Sequence, residues 1–403
     1  MVDYSRRTFG SGAIGALAAM SSTSPEARPL TELRPTSSGE AQPTGASPAD
    51  PFASGLKPED DFALTGPVPG VPQMIETFNL WLYDGARDIC YNTSPHLHEG
   101  TCRALATVFL PGGRILRRHN GDDDRFDNPR RFGSRYVQYE CVEPYRRWIY
   151  RLKDVPMIET SDAEVAAGGM TSDQPSRRVS AEIHLKTLSP AWIMGSLLPE
   201  CAKLNRIQAG FWMGSRLPSG PSPLTRRYEQ LAQGEGVITV DGEEFAFKGS
   251  GMRAHVRGVR DTHGMPGHYW ASAVFPSGKG FAVVGYQQPD GTTLYHEGYV
   301  WQDRKVYPVR NVWVPPMDRL PRSAPYTLSL HSEALGSIRI DGQDMHAFVW
   351  STQGWAGGGS DQMKPVYGLD PNAPLVLKQA PARYEWDGET GFGMRETSGG
   401  LPT

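Results

Sequence analysis

Residues 234–261 read GEGVITVDGEEFAFKGSGMRAHVRGVRD and join a clear strand signal to a row of basic residues. The β-branched run VITV at 237–240 is followed by Asp241-Gly242, a pair that accepts the positive φ values of a type I′ turn. Phe245 and Phe247 then alternate with polar neighbours on the return. The stretch therefore predicts a β-hairpin.

Beyond the hairpin, basic side chains recur at every second position, at Arg253, His255 and Arg257. Successive side chains of a strand point to opposite faces, so one face of this segment is cationic and the other apolar. Without a bulge, the cationic row continues the face that carries Phe245 and Phe247. A charged row where aromatic side chains also point suggests the polar wall of a pocket.

The segment GSGMRAHVRGVRD resembles the signature of the AttH-like, carotenoid 1,2-hydratase-like (hydroxyneurosporene synthase-like) family. The positions that it shares with this signature are Gly249, Gly251, Arg253, His255, Gly258, Arg260 and Asp261. The signature's first Asp, its Ser and its Trp are replaced by Ala254, Val256 and Arg257. Further similarity at 143–148, 228–230 and 386–396 extends the resemblance over roughly residues 75 to 397. It implies two successive lipocalin-like β-domains, with a ligand cleft between or inside them.

The composition is that of a folded, water-soluble chain with no strong charge bias. The 403 residues are 38% hydrophobic and 21% charged, with a net charge of −3, and they include 45 Gly and 34 Pro. This length allows two domains, and the near-zero net charge argues against nucleic acid or an anionic membrane surface as partner. Short runs of strand character separated by Gly and Pro turns predict an all-β fold of antiparallel barrels or sandwiches.

The order of segments predicts five parts. Residues 1–20 contain Arg6 and Arg7 before a weakly apolar run and resemble a twin-arginine signal, which predicts export to the periplasm or beyond; a disordered start in a cytoplasmic protein is the alternative. Residues 21–72 are rich in Pro, Ser, Thr, Gly and Ala and predict a disordered linker. A first β-domain at 73–190, an apolar packed connector at 191–230 and a second β-domain at 231–397 follow.

Short motifs exclude several classes of protein. No dinucleotide fingerprint, P-loop, nucleophile elbow or zinc-binding helix occurs, so the sequence predicts neither an organic cofactor nor a metal. Two motifs are read as solvated loops rather than as metal ligands. They are His96, His98 and Glu99, and the run of three Asp at 122–124. Cys90, Cys102, Cys141 and Cys201 could hold a disulfide or stay free. No other run is long and apolar enough for a stable membrane span.

The candidate catalytic residues are His255, Arg253, Arg260 and Asp261. His255 would donate or accept a proton, an arginine would stabilise negative charge, and Asp261 would orient one of them. Candidate ligand-binding aromatics are Trp192, Trp212, Phe245, Phe247 and Tyr269. The alternative is an outward polar face with Arg260 and Asp261 as an ion pair. His263, His268 and the pair His296-Glu297 are given little weight, because a lone histidine is more often structural.

The resemblance and the polar cluster together favour an enzyme that hydrates, isomerises or cyclises a hydrophobic small molecule such as a polyene, terpenoid, steroid or aromatic compound. Replacement of the family's acidic residue by Ala254 supports an alternative, an exported protein that binds such a ligand without chemistry. A carbohydrate-binding module is a third reading, suggested by 10 Trp and 16 Tyr, which core packing explains equally well. On the first reading, His255→Gln should impair turnover more than folding.

Replacement of both Arg6 and Arg7 by lysine is expected to keep the protein in the cytoplasm, because the export route reads the arginine pair. Cell fractionation of the source organism followed by immunoblotting measures this. Arg28→Lys, within the predicted linker, is the matched control and should be exported normally. Normal export of the double variant would contradict the predicted signal.

Overall fold

Strands make up most of the chain that the computed structural model describes, namely residues 50–65, 75–98, 100–118, 122–126, 128–166, 175–201, 226–258, 267–287, 293–314, 323–353, 364–367 and 375–399. The predicted signal at 1–20 lies outside the described residues. The strands form two antiparallel sheets, which confirms the predicted all-β class. No helix among the described residues is long and apolar enough to cross a membrane.

The first sheet closes on itself. Its strands are β1 Ile75–Asp84, β2 Ile89–Leu97, β3 Thr101–Leu110, β4 Arg114–Arg118, β5 Asp122–Asp124, β6 Arg131–Gly133, β7 Val137–Glu143, β8 Arg147–Ser161, β9 Ser176–Thr187, β10 Trp192–Ile193, β11 Arg226–Val240 and β12 Glu243–Gly258. Strand β9 pairs with β8 on one side and with β11 on the other, so eight strands form a ring in the order β11-β12-β1-β2-β3-β4-β8-β9. Closure pairs both sides of each ring strand, as a barrel requires.

The second sheet curls around its own apolar interior, and its described strands do not close into such a ring. Its strands are β13 Gly267–Val274, β14 Gly280–Gln287, β15 Thr293–Gln302, β16 Lys305–Pro308, β17 Arg310–Trp313, β18 Tyr326–Ser332, β19 Gly336–Asp344, β20 Phe348–Gln353, β21 Lys364–Tyr367, β22 Leu375–Trp386 and β23 Glu389–Gly399. The central order is β16-β15-β14-β13-β23-β22-β19-β18-β17. One short helix, α1 at Asp162–Ala166, follows β8.

The predicted hairpin of residues 234–261 is present but belongs to the first sheet. Strands β11 and β12 pair from Arg226–Arg257 to Val240–Glu243 and turn at Asp241 and Gly242, whose φ angles of 49° and 91° fit the predicted turn. Both strands are hydrogen-bonded within the barrel, to β9 and β1. The predicted start of the second domain at residue 231 is therefore wrong, since the second sheet begins at Gly267. The hairpin belongs to the first sheet because β12 pairs with β1 and β11 pairs with β9.

Part of the predicted disordered linker is structured. Residues 50–65 contain two 3₁₀ turns, at Pro51–Ala53 and Pro58–Asp61. Ala53, Asp61 and Ala63 are buried, with Asp61 at 0% exposure. The linker prediction is thus wrong for 50–65, because side chains there have partners inside the barrel. The parts at 21–49 and 66–72 lie outside the described residues.

The two sheets share an apolar core. Trp81 and Met252 of the barrel pack in one cluster with Trp270 and Met394 of the second sheet. Trp192, Leu198 and Cys201, in the described part of the predicted connector, belong to the same cluster. The buried carboxylate of Glu297 accepts hydrogen bonds from four groups, which are Trp192 Nε1 at 3.0 Å, Gly195 N at 2.5 Å, Leu197 N at 2.9 Å and Tyr295 Oη at 3.0 Å.

Several smaller expectations have clear outcomes. All four cysteines are buried and carry free thiols. His96 lies on β2 at 8% exposure, and residues 122–124 form β5, so neither is the solvated loop that the sequence suggested. Both β2 and β5 pair with β3, and this pairing supplies the backbone hydrogen bonds that a loop would form with water.

An ionic contact joins the second sheet to the barrel at His346. Its Nδ1 lies 2.9 Å from Asp162 Oδ2, and its Nε2 lies 2.8 Å from both carboxylate oxygens of Asp88. The imidazole is 1% exposed. Burial alone would lower the pKa of His346, but hydrogen bonds and charge from Asp162 and Asp88 outweigh it and raise the pKa to about 9. The imidazolium is therefore the bound form at neutral pH.

Because its folded-state pKa is raised, His346 contributes stability that is full below about pH 6.5 and is lost as the pH rises through about 9. His346→Gln should lower the free energy of unfolding by roughly 2–3 kcal/mol at pH 6.5 and by much less near pH 10. Urea unfolding of both proteins at the two pH values measures the difference. An equal difference at both values would show that the contact is not ionic.

Candidate functional site

The basic row of β12 points into the closed barrel, as its alternation predicts. Arg253, His255 and Arg257 are 1%, 1% and 3% exposed. On the opposite face of the same strand, Met252 and Ala254 pack in the core shared by the two sheets. Since both faces are buried, each charged group in the barrel needs a partner there.

Arg253 pairs with a carboxylate that lies outside the barrel strands. Its Nη2 donates to Asp61 Oδ1 at 2.6 Å and its Nη1 to Asp61 Oδ2 at 3.3 Å. The Tyr228 hydroxyl and the Tyr145 backbone N–H, the latter at 2.5 Å, donate to the same carboxylate. The guanidinium also lies 4.6 Å from the centre of the Trp148 ring. Asp61 therefore has four donors and ties residues 50–65 to the barrel wall.

His255 has partners at both ring nitrogens. Nε2 lies 2.7 Å from Glu76 Oε1, and Nδ1 lies 2.9 Å from the Tyr228 hydroxyl. The ring stacks on Phe78 with centres 3.9 Å apart. Arg257 Nε donates to the same oxygen of Glu76 at 2.6 Å. The histidine is thus enclosed by hydrogen bonds and an aromatic face.

Burial and neighbouring charges set the protonation of Glu76 and His255 in this network. Burial would raise the pKa of Glu76, but the Arg257 charge and the His255 hydrogen bond outweigh it and lower the pKa to about 2. Burial and the Arg257 charge lower the pKa of His255 to about 4. At neutral pH Glu76 is therefore a carboxylate and the His255 imidazole is neutral.

The network closes one end of the barrel beneath residues 50–65. Besides Asp61, this segment offers the Phe62 carbonyl oxygen to Arg257 and the Leu64 N–H to Glu76 Oε2, the latter at 2.8 Å. The side chains of the network are buried and hydrogen-bonded to one another, which is the pattern of a structural network. Arg253 and His255 lie in this network beneath residues 50–65 and not on the open pocket wall that the sequence suggests.

The remaining predicted site residues do not form one group. Arg260, Asp261 and Trp212 lie outside the described residues. Phe247, with the partly buried Phe245, packs in the barrel core, whereas Trp192 lies in the core between the sheets and Tyr269 in the interior of the second sheet. These aromatics therefore belong to three different cores and cannot line a single wall.

A second polar cluster lies on the face between the two sheets. His268 of β13 lies opposite Ser398 of β23, with Nδ1 2.5 Å from Ser398 Oγ and Nε2 2.9 Å from Glu396 Oε1. Gln379 of β22 donates to the other oxygen, Glu396 Oε2, at 2.6 Å. His268 and Ser398 retain 7% and 6% exposure, in contrast to the barrel network.

The barrel contributes a second carboxylate to this face. Glu229 of β11 accepts from Trp270 Nε1 at 2.9 Å and from Arg227 Nε at 2.6 Å. The Arg227 guanidinium lies 4.7 Å from the centre of the Trp270 ring. Trp270 is the cross-strand partner of Glu396, so the two carboxylates occupy neighbouring positions across the sheets.

Arg117 links the sheets on the same face. Its Nη1 lies 2.7 Å from Thr107 Oγ1 in the barrel and 3.4 Å from Gln379 Oε1 in the second sheet. Its guanidinium covers the Phe348 ring at 4.1 Å. The inter-sheet face thus has an aromatic part and a polar part with acid, base and cationic groups.

Glu396 is held as a carboxylate at neutral pH. Burial would raise its pKa, but the hydrogen bond and charge of His268, the hydrogen bond of Gln379 and the charge of Arg227 outweigh burial and lower the pKa. An ionised carboxylate next to an imidazole can orient the ring and stabilise its protonated form. This pair can therefore move protons at the inter-sheet face.

Only part of this cluster can be recognised from the sequence. Glu396 and Glu229 fall within the regions of family resemblance, and Glu396 and Ser398 are two apart, so they share one strand face. The role of His268 cannot be read from its neighbours in sequence, because its partners are about 130 residues away. Among the described residues, no group of three His, Cys, Asp or Glu side chains could hold a metal ion.

Comparison with known proteins gives a family match. The domain-of-unknown-function family DUF7064 matches residues 57–400. No curated protein matches the chain. Similar solved structures include an AttH-type protein from Nitrosomonas europaea (TM-score 0.47, 11% identity, 84% of this chain and 100% of that one). They also include CghA with Sch210972 (0.42, 11%, 88% and 97%) and kievitone hydratase from Nectria haematococca (0.34, 11%, 84% and 96%).

Asp61→Asn is expected to destabilise the protein by about 3–5 kcal/mol, because it leaves the buried Arg253 without its carboxylate. Chemical unfolding followed by tryptophan fluorescence measures the loss. Glu59→Gln, an exposed change in the same 3₁₀ turn, is the matched control and should be silent. A silent Asp61→Asn would show that the segment is not part of the folded barrel.

His255→Gln should also lower the melting temperature, because one amide cannot replace both ring nitrogens and the stacking on Phe78. A loss on the order of 1–3 kcal/mol is expected. This differs from the expectation from sequence, in which folding is spared.

Proposed function

The chain belongs to the DUF7064 family, and we propose that it is a cofactor-independent enzyme of the hydratase (lyase) or isomerase type that acts on a hydrophobic small molecule. The observation that supports this is the His268–Glu396 pair, which lies next to the aromatic core between the sheets. The proposed substrate lies on the inter-sheet face, with its apolar part against the aromatic side chains.

The chemistry follows from the groups on this face. Hydration adds a proton to one carbon of a double bond and the oxygen of water to the other, and the reverse reaction removes both. The His268–Glu396 pair would carry the proton, since imidazole is the side chain most often used for proton transfer. Glu229 and the ring of Trp270 would stabilise positive charge that develops on the substrate.

Burial strengthens the electrostatic interactions of Glu229 and Trp270. Glu229 is 1% exposed and Trp270 is 4% exposed, so their electrostatic interactions are screened by water far less than those at the surface. The flanking aromatic side chains exclude water from the reacting centre apart from the molecule that is added. Two tyrosines of the same core, Tyr286 and Tyr295, add apolar surface with a polar end.

A second candidate is an exported protein that binds the same class of ligand without chemistry. Ala254, where the resembling family has an acidic residue, favours it. Ala254 lies on the inter-sheet face of β12, opposite Glu229 on the neighbouring strand. Glu229 could supply the acid that position 254 lacks, which is the reason for preferring the enzyme.

Export to the periplasm or beyond is part of the proposal and rests on Arg6 and Arg7. The exported chain would meet its ligand outside the cytoplasm.

Native mass spectrometry of the full chain from its source organism is expected to show a co-purified apolar molecule, which identifies the ligand class. Glu229→Gln and Glu396→Gln should each reduce turnover of that molecule at least about 100-fold, because each removes a buried charge at the reacting centre. Glu235→Gln, an exposed change on the same strand as Glu229, is the control. Unchanged turnover in both site variants would exclude the proposed catalytic groups. Binding without turnover in the wild type would favour the second candidate.

A further inference from the structure

We infer that Ser398, His268 and Glu396 form a nucleophilic triad that cleaves carboxylic esters bearing a hydrophobic group. The hydration proposed above uses the imidazole and the carboxylate but gives no role to the serine hydroxyl. Ester cleavage is therefore a separate activity, and it stands whether or not hydration occurs.

The strand register explains how the three side chains meet. Glu396 and Ser398 are two residues apart on β23, so both project from the same face of the sheet. His268 of β13 lies directly opposite Ser398. Its ring runs along β23 and reaches both neighbours, with Nδ1 2.5 Å from Ser398 Oγ and Nε2 2.9 Å from Glu396 Oε1. The order hydroxyl, imidazole, carboxylate is that of a catalytic triad.

The supporting contacts hold each member in place. The His268 backbone N–H donates to Ser398 Oγ at 3.2 Å, which fixes the hydroxyl oxygen, and Gln379 donates to Glu396 at 2.6 Å, which fixes the carboxylate. Glu396 on Nε2 favours the tautomer in which Nδ1 accepts the serine proton. Ser398 is 6% exposed, whereas His255 of the barrel network is 1% exposed.

Another serine on the same face shows what is special about Ser398. Ser272 of β13 is 0% exposed, and no imidazole lies against its hydroxyl in the described structure. The two serines differ in the histidine and carboxylate, which turn a weak hydroxyl nucleophile into an activated one. Ser272 is thus the matched inactive control.

The reaction balances with water as the only co-reactant. Ser398 Oγ attacks the ester carbonyl carbon while its proton passes to His268 Nδ1. The tetrahedral centre collapses, the C–O bond to the alcohol breaks, and His268 returns the proton to the alcohol oxygen. Water then attacks the acyl-serine in the same way, releases the acid and restores the serine. Arg227, whose charge already acts on Glu396, can stabilise the developing oxyanion.

The surroundings of the triad select the ester. Trp270 and Tyr286 flank His268 on β13 and β14, and both belong to the aromatic core between the sheets. An aromatic or long-chain acyl group would pack there, whereas an acetyl group would leave most of this surface uncovered. Longer p-nitrophenyl esters should therefore be cleaved faster than the acetate.

The test is covalent labelling of the full-length protein with a fluorophosphonate probe. The serine oxygen attacks the phosphorus of the probe, and fluoride leaves. Intact mass spectrometry should show one adduct per chain, and peptide mapping should place it at Ser398. Hydrolysis of p-nitrophenyl butyrate and octanoate is measured alongside, and the octanoate should react faster.

Ser398→Ala should abolish labelling, His268→Gln should slow it at least about 100-fold, and Ser272→Ala should leave it unchanged. Circular dichroism melting checks that each variant is folded. If a variant does not fold, the mapped position of the wild-type adduct still tests the proposal. Absence of an adduct on the wild type, or an adduct at another residue, overturns the proposal. Neither result alters the turnover test of Glu229→Gln, so failure here is distinct from failure of the proposed hydratase.

Discussion

Strand β12 is buried on both faces, and the rest of the structure follows from this constraint. Its even-numbered residues Met252 and Ala254 pack against the second sheet, while Arg253 and His255 point into the barrel. One strand therefore serves as the wall of the barrel and as the floor of the inter-sheet face. A cationic row in such a position can exist only where carboxylates are brought to it.

Those carboxylates come from outside the hairpin. Asp61 reaches Arg253 from the segment before β1, and Glu76 of β1 joins His255 to Arg257. Removing two charges from water costs several kcal/mol per ion, and the additional donors on each carboxylate offset this cost. The outcome is a closed end of the barrel in which residues 50–65 are part of the fold. Arg253 and His255, at positions shared with the family signature, thus belong to this buried network.

The two polar clusters differ in how completely their side chains are buried. In the barrel, two carboxylates face two guanidinium groups under a fixed plug, and every group shown has a partner within the protein. On the inter-sheet face, His268, Glu396 and Ser398 lie at the border of an aromatic core and keep some exposure. Such a border can hold an apolar ligand and present its polar end to proton-transfer groups. This contrast is the reason for placing the proposed function between the sheets.

The sequence alone determined the local features, including the all-β class, the turn at Asp241-Gly242, the alternation of β12 and the apolar character of residues 191–201. These depend on the period of two and on turn chemistry, which neighbouring residues specify. Tertiary structure decided the assignment of the 226–258 hairpin to the first barrel, the role of Asp61, and the meeting of His268 with Glu396 and Ser398. Each depends on pairing between segments far apart in sequence, such as β1 with β12 and β13 with β23. Alternation shows that a side chain faces inward, but only closure of the sheets decides which partner it meets there.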